Sequence, residues 1–468
     1  MSEDWATFGI DLHLDLDAAT GRRSGLERAL RDAVRDGRLA AGARLPSTRA
    51  LAAELGLSRG TVSAAYDQLV AEGYLTARRG SGTEVAALTG QAGAPTAPRG
   101  AVAPARHNLR PGSPDPTTFP VTAWLRASRR ALLAAPAEAY GYGDPRGQQA
   151  LRTVLADYLG RTRGVLTTPD QLVVTSGYVQ ALGLLTQVLH HAGTEAVAME
   201  DPGLAVHREV VRRAGPAVLP LPVDRHGART ELLSTRDLEA ASAAVVTPAH
   251  QYPMGDSLHP DRRRALIQWA RSRDGLIIED DYDGEFRYDR QPVGALQGTA
   301  PDHVAYIGTA SKTLGPAVRL AWLCLPARLV DPVVDAKLHA DHHTESLGQL
   351  AFADLIASHA YDRHLRACRL RYRRRRDLLL ARLAEGRSAG YAITGIAAGL
   401  HALIGLPAGG PTEPEVLARA AAYGVAVDGL ANEFHSPGDH RPGIIVGYGT
   451  PPEHAYPAAL DALARVLG

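Results

Sequence analysis

Lysine is nearly absent from this 468-residue chain. Of its 51 basic residues only Lys312 and Lys337 are lysine, and the other 49 are arginine. Guanidinium is therefore the all-purpose cation, and a lysine that remains is a candidate for work arginine cannot do. Losing a proton and attacking a carbonyl is such work, because guanidinium stays charged. A lysine left by chance on a surface is the bland alternative, and context must decide. Cysteine is as scarce: Cys324 and Cys368 alone exclude a disulfide scaffold and a zinc site built on cysteine. No run approaches about 18 apolar residues, so no membrane span is expected. The N-terminus, MSEDWATFGIDLHLDLDAAT, has no basic stretch ahead of an apolar run, so it does not read as a secretory signal. These absences predict a cytoplasmic address. The net charge of +1 gives no whole-chain field towards a polyanion. Hydrophobic residues at 45% and charged residues at 22% fit a globular protein, and the length allows about two to four domains.

The stretch 18–86 reads as one unit. Ser24 is placed to cap a helix through about Asp36, with Leu26, Leu30 and Val34 on one stripe. Ser47 caps a second helix to about Glu54, stopped by Gly56. Ser58 caps a third to about Glu72, stopped by Gly73. Tyr74–Ala77 and Glu84–Ala86 are short strands around the basic, Gly-rich tip Arg78-Arg79-Gly80-Ser81-Gly82. Helix, turn, helix and hairpin is the order of a winged helix-turn-helix. Residues 21–86 carry 11 Arg against 7 Asp and Glu, a local excess of positive charge in a neutral chain. In such a motif the N-terminal residues of the second helix reach base edges in the major groove. A small protein-binding module with a solvated arginine face is the alternative. The segment ARLPSTRALAAELGLSRGTVSAAYDQLVAEGYLTARRGSGTEVA resembles the GntR type of winged helix. That resemblance implies a double-stranded DNA operator contacted through Arg49, Arg59, Thr61, Arg79 and Gly80.

Residues 87–105 are Ala, Gly, Pro and Thr with one charge near the end, the composition of a semi-extended linker. From 106 to 468 strands and helices alternate. Leu172–Thr175, Ala196–Met199, Ala243–Thr247, Leu276–Glu279, Val304–Ile307 and Ala321–Leu325 read as buried strands, with helices such as Arg262–Arg271 between them. The pattern predicts an α/β core on a mainly parallel sheet. The tail from about His339 predicts a long helix and a small C-terminal α+β subdomain.

Ligands of such sheets bind at the carboxyl ends of the strands. Four loops there carry polar groups. Thr175-Ser176-Gly177-Tyr178 runs a strand into a helix N-terminus, a phosphate seat in principle and a common turn otherwise. Glu279-Asp280-Asp281-Tyr282-Asp283-Gly284-Glu285 crowds carboxylates that repel one another unless a cation or hydrogen-bond donor meets them. That crowd fits a metal site, or a carboxylate holding a pyridinium proton. Gly308-Thr309-Ala310-Ser311-Lys312, with Arg319 seven residues on, puts one of the two lysines beside hydroxyls and a guanidinium. Thr247–Gly255 is polar as well.

Together these loops fit pyridoxal phosphate. Lys312 forms the Schiff base, Asp280 keeps the ring nitrogen protonated, and Tyr282 meets the ring hydroxyl. Ser176, Gly177, the Tyr178 backbone, Thr309, Ser311 and Arg319 hold the phosphate. YGYGDPRG (Tyr140–Gly147), EDDYDGEFRYDRQP (Glu279–Pro292) and GTASKTLGPAVRLAWL (Gly308–Leu323) resemble motifs of the fold-type I aminotransferases. With the GntR-like unit, the chain resembles the MocR/GabR-type regulators. The resemblance implies a homodimer whose aminotransferase-like domain senses a small-molecule effector. Two departures bear on activity. Leu204 stands where the family often has a tyrosine stacking on the ring, which leaves an aliphatic face or a substitute such as Tyr178. The substrate-gripping arginine of the aminotransferases aligns near Ile445, with Arg441 close in sequence. Without that clamp, transamination loses a charge-assisted pairing, so weak or no transaminase activity is expected. Two further features are set aside. The run RLRYRRRR (Arg369–Arg376) reads as the charged part of a long helix rather than a nucleic-acid patch. The adjacent pairs His190-His191 and His342-His343 point apart on a helix, so no metal site is expected.

Overall fold

The computed structural model describes residues 21–78, 82–87, 105–289, 293–384, 390–438 and 440–468. They fall into two compact units, divided between Ala103 and Pro104.

In the first unit α1 (Arg22–Arg35), α2 (Thr48–Leu55) and α3 (Arg59–Ala71) precede an antiparallel hairpin, β1 (Leu75–Arg78) and β2 (Gly82–Val85). The Ser47 and Ser58 hydroxyls accept the Ala50 and Thr61 backbone N–H groups at 3.1 Å each. Each cap satisfies a donor that the helix ladder leaves free. Gly56 ends α2 in the left-handed region at φ 63°, where a side chain would be strained. The expected cap at Ser24 is corrected. Gly25 N–H already bonds the Gly21 carbonyl, so the first helix starts at Arg22 and Ser24 lies inside its first turn. Leu26, Leu30, Leu51, Val62, Tyr66, Leu69, Leu75 and Val85 close the core. The Arg31 guanidinium holds both oxygens of Glu72, tying α1 to the end of α3. Arg79 and Gly80 lie outside the described residues, as does nearly all of the stretch expected to be a linker.

The second unit opens on the short strand β3 (His107–Asn108) and continues into an eight-stranded sheet. Its strands are β4 (Leu172–Thr175), β5 (Ala196–Asp201), β6 (Ala217–Asp224), β7 (Gly227–Ala228), β8 (Ala241–Val246), β9 (Leu276–Asp281), β10 (Val304–Thr309) and β11 (Ala321–Cys324). They lie in the order β4-β11-β10-β9-β8-β5-β6-β7. Neighbours from β10 to β6 are parallel, β11 runs antiparallel between β4 and β10, and β7 is antiparallel at the edge. Ala305 and Ile307 enter one core and Tyr306 another, so both faces of the sheet are covered. A smaller sheet follows in the order β12 (Ala392–Thr394), β13 (His401–Gly405), β16 (Gly443–Gly447), β15 (Asp428–Gly429), while β14 (Val425–Ala426) pairs with β3. The six strands expected from sequence are present with ends shifted by one or two residues. β6 is not among the six expected strands; it carries Pro220 and Pro222, which lack backbone donors. It sits next to the sheet edge, where β7 covers only Val223 and Asp224. The arginine run lies on helix Ala360–Ala384. Among the described residues no helix is long and apolar enough to cross a membrane.

Candidate cofactor-binding site

The carboxyl ends of β4, β5, β8, β9 and β10 surround a cavity of about 250 Å³. Register sets its floor: Asp280 on β9 lies beside Ile307 on β10, so the loop after Thr309 rises next to that carboxylate. Tyr178, Asp280, Tyr282, Thr309, Ser311 and Lys312 all line the cavity.

The carboxylate crowd resolves into separate partnerships. Glu279 accepts the Leu296 and Gln297 N–H groups at 2.8 and 3.0 Å. Asp281 is held by buried Arg163 at 2.6 and 2.9 Å and by the Tyr306 hydroxyl at 2.7 Å. Asp283 meets His250 Nδ1 at 2.9 Å. Only Asp280, on the cavity wall, keeps an oxygen, Oδ1, that is buried and without a hydrogen-bond partner among the described residues. The carboxylates therefore diverge instead of converging on one cation. Burial pushes the Asp280 carboxyl well above the usual carboxylate range, so a cation placed at Oδ1 would restore its charge.

The Lys312 amine donates to the Gly112 carbonyl at the cavity wall. Burial lowers it from the ordinary lysine value, the shift that frees an amine for nucleophilic work. Thr309 Oγ1 accepts the Ser311 N–H at 3.1 Å and donates to Ser311 Oγ at 3.0 Å, which shapes the turn. Arg319 occupies the left-handed region at φ 53°, and its guanidinium donates to the Ser176 carbonyl. Gly177 is required there. Its φ is 103°, and a Cβ would lie 2.6 Å from the Arg319 guanidinium. Ser176, Gly177 and Arg319 are thus brought together across 143 residues of sequence.

His207 was not singled out from sequence. It follows Leu204 by three residues, stacks on Tyr178 with centroids 4.4 Å apart, and puts Nδ1 3.9 Å from Asp280 Oδ2. Burial drives its pKa down to about 3, so it faces Asp280 as a neutral ring and not as an ion-pair partner. The Tyr178 hydroxyl is buried without a partner, and one face of its ring is taken by His207. The Tyr282 hydroxyl lies 3.2 Å from His250 Nδ1, the nitrogen that also meets Asp283, and His401 packs on His250 with centroids 4.9 Å apart. His250, Asp283 and His401 bring ligand-type atoms within 4.8 Å of one another, a grouping that their sequence spacing does not reveal. Ile445 is fully buried and packs with Leu403 and Leu430, and Arg441 does not line the cavity. The one arginine among the lining residues, Arg208, donates to the carbonyls of Gly203, Glu433 and Phe434.

In the first unit Arg59 opens α3, exposed, and Arg49 is exposed in the first turn of α2. Thr61 is half-buried, and its hydroxyl bonds Ser58 Oγ at 2.8 Å, so part of its capacity serves the cap.

Residues 109–438 match the family described as "Aminotransferase class I and II", and residues 23–85 match "Bacterial regulatory proteins, gntR family". The chain is 35% identical to the probable rhizopine catabolism regulatory protein MocR of Rhizobium meliloti, covering 93% of this chain and 92% of that one. It is 33% identical to the pyridoxine biosynthesis transcriptional regulator PdxR of Corynebacterium glutamicum, covering 91% of each. The structure of Pyrococcus horikoshii kynurenine aminotransferase in complex with PMP matches with a TM-score of 0.69 at 25% identity, over 77% of this chain and 90% of that one. Pyridoxal phosphate is the cofactor of this domain, and the residues present suit it. They supply a buried amine for an aldehyde, an unpartnered carboxylate for a ring nitrogen, and a Gly177–Arg319 approach for a phosphate. The chain belongs to the GntR-family, MocR-like transcription regulators, in which a winged-helix DNA-binding unit is fused to an aminotransferase-like domain.

Proposed function

We propose that this regulator senses pyridoxal phosphate itself, through occupancy of the cavity in the second unit. In this reading Lys312 holds the aldehyde carbon, Asp280 the ring nitrogen and Tyr282 the ring hydroxyl. Ser176, Gly177, the Tyr178 backbone, Thr309, Ser311 and Arg319 hold the phosphate. When bound, the cofactor supplies an electron sink. The Asp280 carboxylate sustains the ring-nitrogen proton, and the His250–Asp283 pair orients the Tyr282 phenol. One observation carries the choice of effector: among the described residues no lining guanidinium is left for a second ligand's carboxylate, since Arg208 is committed to backbone carbonyls. An amino acid or amine acting on the loaded pocket is the competing effector, and a working aminotransferase the competing function. A gel shift on the DNA upstream of the gene, run beside a spectral titration, separates them. Pyridoxal phosphate alone changes operator affinity, and added amino acids cause no sustained keto-acid release. An operator response that needs an added amine, or sustained turnover, overturns this reading.

The operator-reading residues are Arg49, Arg59, Thr61, Arg79 and Gly80, in a unit spanning 18–86. The linker is 87–105 and the sensor 106–468, in a cytoplasmic protein. Arg59→Ala lowers operator affinity by about tenfold at fixed salt, within the 1–3 kcal/mol of a base-reading arginine. Fluorescence anisotropy giving an unchanged curve would remove Arg59 from the groove. A homodimer is supported by helix Val121–Ala134, which buries only Ala127 fully and exposes Val121, Leu125 and Leu133, with Tyr140 and Tyr142 exposed beyond it. Two copies present two winged helices to two half-sites. Occupancy then regulates by favouring one arrangement of that pair.

A further inference from the structure

The second of the two lysines is as fully enclosed as any side chain among the described residues. Lys337 has 0% side-chain exposure on helix Ala327–Asp341, and its amine donates to Asp341 Oδ1 at 2.7 Å. The other oxygen of Asp341 accepts Gln180 Nε2 at 2.7 Å. The Gln180 Oε1 in turn accepts the backbone N–H of Ser176 at 2.7 Å. The carbonyl of Ser176 receives Arg319. Both ends of one residue at the β4-to-helix turn are thus pinned, one by Arg319 and the other by a chain of three side chains ending in a buried ammonium.

Each link determines the next. An amide side chain can present either end to a backbone N–H. A carboxylate accepts only, so Asp341 takes the NH₂ end of Gln180 and turns the oxygen towards Ser176. Asp341 keeps 27% of its side chain exposed, and the enclosed cation is Lys337, which meets it as a compact point charge. We propose that Lys337 is a positioning residue for the phosphate seat: through Asp341 and Gln180 it fixes the Ser176–Gly177–Tyr178 turn in the geometry that receives the cofactor's phosphate. The proposal rests on the reading of this site as the pyridoxal phosphate site.

The test compares two aldehydes on the full-length protein, pyridoxal phosphate and unphosphorylated pyridoxal, with binding followed by the absorbance of the lysine-bound aldehyde. Lys337→Met and Gln180→Leu each raise the Kd of pyridoxal phosphate by about tenfold and leave that of pyridoxal within about twofold. That selectivity is what a general loss of packing does not produce. The double variant is no worse than Gln180→Leu alone, because the two act through one contact. Equal weakening of both aldehydes, no weakening, or additive losses overturns the proposal. If Lys337→Met does not fold, half-buried Gln180→Leu decides by the same ratio. Wild-type protein that binds neither aldehyde removes the cofactor reading and the relay with it, whereas wild-type binding with an unchanged ratio in the variants removes the relay alone.

Discussion

Lys312→Ala protein, saturated with pyridoxal phosphate and reduced with borohydride, yields a peptide across position 312 of unaltered mass, whereas the wild-type peptide carries the reduced cofactor. The expectation rests on three observations. The chain keeps only two lysines. Lys312 stands in the cavity beside the unpartnered Asp280 carboxylate. Burial lowers its amine towards the neutral, nucleophilic form. Lys337 is not a substitute, because it is enclosed and engaged with Asp341. The variant still has Asp280, Arg319 and the Gly177 turn, so it retains weak, non-covalent binding. A fall in affinity of about 100-fold corresponds to ~2.8 kcal/mol. The operator response to pyridoxal phosphate weakens in step. A wild-type peptide with no added mass at position 312 in saturated protein would sink the site assignment and the sensing reading together.

Arg375→Ala destabilises the second unit by about 3–5 kcal/mol, the range for stranding one member of a buried charge pair. Arg375 and Asp115 are 1% and 0% exposed and meet at 3.0 Å. The same guanidinium reaches Glu453 at 3.0 Å and the carbonyls of Tyr448, Gly449 and Pro451. It joins the start of the unit to its long helix and to the turn after β16. Its neighbours Arg373 and Arg374 are exposed on the same helix, and their alanine variants stay within about 0.5 kcal/mol of wild type. Urea unfolding of the full-length protein checks all three. Operator affinity unchanged in Arg373→Ala and Arg374→Ala confirms that the run is a structural helix. A loss of affinity there, with stability intact, would return it to nucleic-acid binding.

Much of the cofactor site is legible in sequence because its parts lie in short motifs at strand ends. Asp280, Thr309, Ser311 and Lys312 follow apolar runs that read as strands, and strand ends meet in a parallel sheet. The winged helix is legible for a similar reason: Ser47 and Ser58 are caps with local hydrogen bonds. The illegible parts depend on partners far apart in the chain. Nothing near Asp281 announces that Arg163 will neutralise it, so the carboxylate crowd leaves a metal site open until the fold separates the pairs. His207 and the His250–Asp283–His401 group have no periodic trace, since each joins elements that only the tertiary fold brings into contact; in the Lys337-to-Ser176 relay two links are local steps of four residues, and only the Gln180–Asp341 contact waits on the fold. β6 carries two prolines, which a strand tolerates because it lies near the sheet edge.

Position 445 carries a consequence for redesign. Ile445 lies in β16, buried on both faces and wedged against Leu403 and Leu430. Writing an arginine there would insert an unpaired cation into the buried core of the small sheet, at a cost of several kcal/mol. A carboxylate clamp at this position is therefore not one codon away, and a retrofit would have to recarve the neighbouring strands first.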